Sequence, residues 1–250
     1  MRMRKKPNLV PRMERAAGVM VRQPEDCRGR WHELFPEYGH IHLELGCGKG
    51  RFTAGTAQAA PDTLLAAVER VPDAMVVGME RVIASGIKNV RFIDRDVQSL
   101  CEIFAPGEIE RIYLNFCDPW PKSRDAKHRL TAPDFLRMYA SLLPEGGLVC
   151  FKTDNLPLFD WSIEQFTAEG WTLRDVTNDL HAEGIRGVMT DYEAKFHAQG
   201  LKINRLEAAK GIHTKTTADG GAGRLRNASL ADARGRADSL AAHRAKEAQV

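Results

Sequence analysis

Leu43-Glu44-Leu45-Gly46-Cys47-Gly48-Lys49-Gly50 is the stretch that decides the fold: an apolar, strand-like run enters a bend with glycine at every second position, and an amphipathic segment follows at once. Glycine in such a bend reaches left-handed backbone angles without strain and lets a ligand come close to the main chain. The same rhythm continues downstream. After the first apolar run at 41–45 come others at 64–69, 90–94, 111–116 and 147–153, with segments suited to helices between them at 50–60, 72–85, 133–143 and 156–169. Pro72 and Pro133 stand at helix starts and Gly86 and Gly170 just past helix ends, as the chemistry of helix termini prefers. The alternation predicts an α/β fold with a mostly parallel sheet and helices on both faces. Two weaker runs, 171–180 and 202–206, predict an antiparallel pair that closes the sheet at about seven strands.

Composition narrows the class. In the 250-residue chain, 43% of residues are hydrophobic, which is ordinary for a globular protein with a core. No apolar run approaches the roughly 18 residues that span a bilayer, and no apolar stretch follows Met1-Arg2-Met3-Arg4-Lys5-Lys6, so neither a membrane segment nor a signal peptide is expected and a soluble, cytoplasmic protein is. The five cysteines, Cys27, Cys47, Cys101, Cys117 and Cys150, are scattered and contain no C-x-x-C pair, so neither a disulfide framework nor a metal site is expected. Nothing in the sequence separates a monomer from a homodimer.

Charge is unevenly spread. Residues 1–30 hold nine Lys and Arg against Glu14, Glu25 and Asp26, whereas residues 31–209 hold 19 basic and 26 acidic side chains. Basic ends on an acidic middle suit a polyanionic partner. The expected organisation is a basic arm at 1–30, a catalytic domain at 31–209 and an Ala/Gly/Arg-rich, poorly packing tail at 210–250, with a short helix at 230–246 as the competing reading of the tail.

The glycine bend also bears on the cofactor. A dinucleotide fold uses G-x-G-x-x-G so that a pyrophosphate can sit on a helix N-terminus; here the spacing is G-x-G-x-G and an acid, Glu44, stands two residues ahead. A ligand with a sulfonium and an ammonium but no phosphate suits that acid, which favours S-adenosyl-L-methionine over NAD. Glu69, closing the second run, is placed to accept two ribose hydroxyls. Asp96, after the third, is offered to an adenine amino group. Gly46 and Gly48 complete this cofactor set.

The fourth run ends in Tyr113-Leu114-Asn115-Phe116-Cys117-Asp118-Pro119-Trp120-Pro121-Lys122. Two prolines stiffen the turn and Trp120 supplies a flat apolar wall, a combination suited to a planar base at the carboxyl edge of the sheet. In the loop that follows, Lys122, Arg124, Lys127 and Arg129 surround a single acid, Asp125, as a phosphate-contacting loop requires.

With these residues assembled, the chain closely resembles the bacterial tRNA (guanine-N7-)-methyltransferases, over roughly Lys5 to Leu206. The most specific matches are Asn115-Phe116-x-Asp118-Pro119-Trp120-Pro121-Lys122 with Lys127-x-Arg129-Leu130-Thr131, then Phe151-Lys152-Thr153-Asp154, then Thr190-Asp191-Tyr192-Glu193-Ala194-Lys195-Phe196. The resemblance implies a Rossmann-like class I methyltransferase fold and S-adenosylmethionine as methyl donor. Its implied substrate is the guanine at position 46 of the tRNA variable loop. It further implies cofactor contacts from Glu44, Glu69, Asp96 and Asp118, with Asp118 also catalytic. Lys122, Asp154, Thr190, Asp191, Tyr192 and Glu193 are implied at the substrate, and Arg124, Lys127, His128 and Arg129 at the RNA. Two departures are visible: Cys117 stands where the family usually has proline, and Asp125 and His128 lie in a loop that is usually more basic.

Carboxylates suit such a reaction. Guanine N7 already carries an in-plane lone pair, so no base is needed; alignment and charge are the tasks, and Asp118, Asp154 and Glu193 are the candidates for stabilising the positive charge that develops on the purine. Without the resemblance, Asp154 reads as a helix N-cap before Leu156, and Glu193 as a surface acid paired with Lys195 or Arg186. Two alternatives of other classes stay open at this point. One is a methyltransferase for amino groups of bases or proteins, because D-P-W-P resembles N-P-P-Y in outline, and the position of the transferred methyl discriminates it. The other is a non-catalytic RNA-binding module, which would bind tRNA but not the cofactor.

Overall fold

The computed structural model describes residues 5–211. Seven strands form one sheet in the order β3-β2-β1-β4-β5-β7-β6. They are β1 (His40–Leu45), β2 (Thr63–Val68), β3 (Val90–Ile93), β4 (Arg111–Asn115), β5 (Leu148–Thr153), β6 (Thr172–Thr177) and β7 (Asn204–Ala209). The first five run parallel, and β7 inserts antiparallel between β5 and β6. The helices are α1 (Leu9–Arg15), α2 (Trp31–Leu34), α3 (Arg51–Ala59), α4 (Pro72–Ala84), α5 (Leu100–Ile103), α6 (Pro133–Leu142), α7 (Leu156–Ala168) and α8 (Asp191–His197). The expected α/β architecture, strand number and antiparallel closure all stand. The five parallel strands and the four helices of the expectation agree with it to within one residue at each end. The last two strands shift further, to 172–177 and 204–209, where the pairing between them breaks register between Arg174 and Thr177.

The period-two alternation of strand side chains explains how the layers separate. Ile41, Leu43 and Leu45 of β1, Ile112 and Leu114 of β4, Val149 and Phe151 of β5 and Leu206 of β7 face one side, where they pack with Leu136 and Tyr139 of α6 and with Leu158, Phe159 and Phe166 of α7. Leu65, Ala67, Val90 and Phe92 face the other side, against Ala54 and Ala57 of α3 and Met75, Met79 and Val82 of α4. Toward the middle of the sheet that second side carries His42, Glu44, Tyr113, Asn115 and Lys152, the polar alternates of the same strands. Glu44, an expected cofactor contact, is therefore a phase partner of the core.

Residues 5–30 of the basic arm make defined contacts with the rest of the chain. Helix α1 packs on α4, where Arg12 forms a two-pronged ion pair with Glu80. Met20 bridges in parallel to Phe92 at the sheet edge, and Val21 N donates to Phe92 O at 2.9 Å. Glu108 accepts from both Gly29 N (3.0 Å) and Trp31 N (2.9 Å), and the Trp31 ring is fully buried against Phe104. Ala16 is buried in the core cluster on this face, with Met13, Val19 and Met20 packed against it. The readings of the tail, including the helix at 230–246, fall outside the described residues apart from Lys210 and Gly211. Among the described residues no helix is long and apolar enough to cross a membrane, and no group of three or more His, Cys, Asp or Glu is placed to hold a metal ion.

Candidate active site

In the strand order, β1 lies between β2 and β4, so the chain leaves β1 toward one half of the sheet and fills the other half later. Ligands of open parallel sheets bind beyond the carboxyl ends of the strands at such a reversal. The carboxyl ends of β1 to β5 carry, in turn, the glycine bend, Glu69, Asp96, Asp118 and Asp154.

Gly46, Gly48 and Gly50 all adopt positive φ, at 73°, 58° and 68°. The first two are open cradles, since a Cβ at either would meet nothing within 4 Å; at Gly50 a Cβ would come within 2.8 Å of Gly78 Cα. Gly50 thus lets α3 start flush against α4, while Gly46 and Gly48 leave backbone bare to a ligand. Glu69 holds the bend in shape: Oε2 accepts from Gly48 N and Oε1 from Val71 N, each at 2.9 Å. Each oxygen retains a further lone pair for a ligand hydroxyl.

Glu44 sits beneath the bend and is 2% exposed. Its Oε2 accepts from Thr53 Oγ1 at 2.6 Å and its Oε1 from Asn115 Nδ2 at 3.4 Å. Burial pushes its carboxyl up to about 7, against the pull of these two hydrogen bonds and of Lys152. Its folded-state value lies above the ordinary 4.5, so Glu44 destabilises the fold progressively as pH rises from 4.5 toward 7, with the full cost above that window. A positively charged ligand beside it would favour the ionised form and offset that cost. Asp96 is half exposed; it caps a short turn by accepting from Gln98 N at 3.0 Å and lies 3.5 Å from Arg70 Nη1.

The turn after β4 is bent into conformations that large side chains seldom adopt, with φ of 52° at Phe116 and 41° at Trp120. Between them Asp118 projects into solvent, and no hydrogen bond or ion pair engages its side chain among the described residues. Lys122, Arg124, Lys127 and His128 are exposed along the 3₁₀ turn Ser123–His128, and the His128 ring lies 5.2 Å from Trp120. Arg129, the fourth expected RNA contact, is engaged within the chain. Its guanidinium turns inward to the carbonyls of Pro119 and Trp120 and lies over the Trp161 ring of α7.

The substrate candidates divide in a similar way. Asp154 is exposed at the end of β5, and the cap of α7 is its neighbour Asn155, whose side chain accepts from Leu158 N at 2.8 Å. Tyr192 is 54% exposed and packs by Phe196, which lies 6.2 Å from Phe116; α8 therefore flanks the turn after β4. Asp191 pairs with Arg81 at 3.4 Å. Thr190 and Glu193 form a reciprocal capping box at the start of α8. Glu193 is fully buried, and its oxygens accept from Lys152 Nζ (2.6 Å), His181 Nε2 (3.0 Å) and Thr190 N (3.1 Å). His181 Nδ1 accepts from Arg186 N, so the ring proton sits on Nε2 and is donated to Glu193. Glu193 is consequently not a surface acid. It anchors α8 to β5.

Lys152, which the sequence reading quotes only as part of a family motif, is the charged partner in this cluster that sequence reasoning misses. It is buried in β5, donates to Glu193 and to Val188 O (3.0 Å), and lies 4.9 Å from the centroid of the Phe52 ring. Burial lowers its pKa, and Glu193 opposes the shift. A signal exists, because Lys152 is in register with Asn115 and shares a phase with Glu44.

A sequence family described as "Putative methyltransferase" matches residues 39–206, the span from β1 to β7. A tRNA (guanine-N(7)-)-methyltransferase of Listeria welshimeri is 43% identical over 209 residues, covering 83% of this chain and 98% of that one. The chain belongs to the tRNA (guanine-N(7)-)-methyltransferase family. The corresponding protein of Geobacillus kaustophilus is 41% identical over 211 residues, 84% of this chain and 97% of its own. Among solved structures, the 16S rRNA methyltransferase KamB superposes with a TM-score of 0.58 at 17% identity, over 74% of this chain and 94% of that one. A 16S rRNA (adenine(1408)-N(1))-methyltransferase from Catenulisporales acidiphilia, solved with cosubstrate SAM, gives 0.53 at 14% identity over 78% and 94%. These likenesses establish the class I methyltransferase fold, and the family membership selects among its members.

Proposed function

We propose that this methyltransferase transfers the methyl group of S-adenosylmethionine to N7 of the guanine at position 46 in tRNA, in the cytoplasm. The observation that carries the reading is the exposed Asp118 on a strained, proline-flanked turn at the end of β4, the strand next to the open Gly46–Gly48 bend of β1. The residues fit the donor: Glu44 and Glu69 at the bend, with Asp96 on the next crossover, suit its cationic and hydroxyl groups. Held there, the donor would supply an activated methyl carbon with a neutral thioether as the leaving group. The chain's part is to orient and to stabilise. Asp118 and Asp154, both exposed beyond the ends of neighbouring strands, are assigned to accept from guanine N1–H and its 2-amino group and to stabilise the positive charge that develops on the ring. Adenine presents an acceptor at N1 and gains no such bond. Trp120 provides the wall, and Lys122, Arg124 and Lys127 provide phosphate contacts.

The test is transfer from methyl-labelled donor to tRNA transcripts, followed by mapping of the modified nucleotide. Label is expected on N7 of guanine 46 and absent from a transcript with adenine there; label on an exocyclic amine, or elsewhere in the transcript, overturns the reading. Donor affinity is expected to rise from about pH 6 to about pH 8, because binding requires ionised Glu44. Calorimetry should show this rise and its loss in Glu44→Gln; an identical pH profile in the variant removes Glu44 from the cofactor site. Replacing Arg124 and Lys127 together by alanine should make the salt dependence of tRNA binding shallower by roughly one unit of slope for each phosphate no longer neutralised. A wild-type slope would place the RNA on another face.

A further inference from the structure

We infer that Arg129 is a positioning residue for the methyl-transfer step, acting through the Pro119–Trp120 backbone rather than by touching RNA. The inference rests on the reading of Asp118 and Trp120 given above. Arg129 Nε donates to Pro119 O at 3.1 Å and more distantly to Trp120 O at 3.3 Å, and Nη2 donates to Trp120 O at 3.0 Å. The guanidinium carbon lies 4.4 Å from the centroid of the Trp161 ring. One planar group thus joins three elements: the turn that carries Asp118, the end of the basic 3₁₀ turn, and α7.

The turn needs such a fastening. Trp120 is held at a positive φ, and so is Phe116, conformations that persist only where the surroundings over-determine them. Prolines at 119 and 121 restrict their own φ but supply no N–H, so no hydrogen bond donated by those two residues can hold the turn. The carbonyls on its inner side need outside donors, and Arg129 supplies a fork that serves two successive ones. Arginine suits the place because its donors are fixed in a plane that can also lie on an indole; a lysine ammonium is a single point and cannot do both. A tRNA phosphate would have to draw the guanidinium away from both carbonyls and off Trp161. The neighbouring Arg124 has no such engagement, with a side chain 76% exposed.

The experiment uses the full chain as wild type and as Arg129→Ala, Arg129→Lys and Trp161→Leu, with Arg124→Ala as the reference for removal of a phosphate-binding cation. Three quantities are measured: the single-turnover rate of methyl transfer at saturating tRNA and donor, the tRNA Kd across a salt series, and the melting temperature. Arg129→Ala is expected to slow transfer by roughly 10- to 100-fold, the scale of an ångström-sized misplacement. Its Kd and salt slope should stay at wild-type values. Arg129→Lys should be nearly as slow despite its retained charge, and Trp161→Leu should fall between it and wild type. A full transfer rate in Arg129→Lys, or a weakened Kd and shallower slope in Arg129→Ala matching Arg124→Ala, overturns the inference. Should Arg129→Ala not fold, the rates of Arg129→Lys and Trp161→Leu below their melting temperatures decide it. Wild-type protein that places no methyl on guanine N7 sinks the underlying reading instead, so the two failures are distinct.

Discussion

Replacing Asp118 by alanine is expected to lower the rate of methyl transfer by about 10²- to 10³-fold, the effect of removing one preorganised electrostatic contact from a transition state. The fold should not notice. Asp118 projects from the turn after β4 without a hydrogen-bond or ion-pair partner among the described residues, and surface changes of that kind shift stability by only about 0.5 kcal/mol in either direction. N7 has no proton to lose, so the loss should be nearly independent of pH across the neutral range, unlike that of a general base. The measurement is single-turnover transfer beside a thermal melt. A variant that keeps wild-type turnover, or that loses it only because it has melted, would remove Asp118 from the reaction.

The largest effect on stability is expected at Lys152. Lys152→Met leaves the Glu193 carboxylate fully buried without its cation, and breaking a buried pair from one side costs about 3–5 kcal/mol. For a domain of this size that is a fall of about 10 °C in Tm. His181 Nε2 and Thr190 N remain as donors, so the stranded carboxylate keeps two of its three hydrogen-bond partners. Combining Lys152→Met with Glu193→Gln should restore part of the Tm at neutral pH, because the stranded charge is then gone. A Tm for Lys152→Met within about 2 °C of wild type, well below the expected shift, would show that the pair is not what fastens α8 to β5.

Legibility in the sequence follows the range of the forces involved. The parallel strands are readable because both faces of the sheet are covered, which makes their apolar runs long, and because glycine or proline punctuates the helices between them. Helices α2 and α5, one turn each, give no periodic signal; α2 exists because Trp31 is buried and its indole N–H donates to Ile103 O. Helix α1 and the turn after it do carry a signal, apolar residues at 9, 13, 16 and 20, but the basic composition around them masks the pattern. At α8 the T-x-x-E pattern of Thr190 and Glu193 is a helix-start signature in its own right. Reading it only as a substrate motif leaves out the capping box and the packing that draws the Glu193 side chain inside. Arg129 shows a related limit: a run of basic residues does not reveal which of them faces carbonyls in its own protein. The acids at the strand ends are legible because topology alone brings them to one edge.

The insertion of β7 between β5 and β6 has a consequence for how the chain is made. A polypeptide growing from its N-terminus completes β5 at Thr153 and β6 at Thr177, yet these two strands are not hydrogen-bonded to each other in the finished sheet. The strand that joins them begins only at Asn204. Through that interval of synthesis the nascent chain carries an open β5 edge, the kind of surface that invites pairing with another molecule. Any product ending short of Asn204 keeps that edge for good.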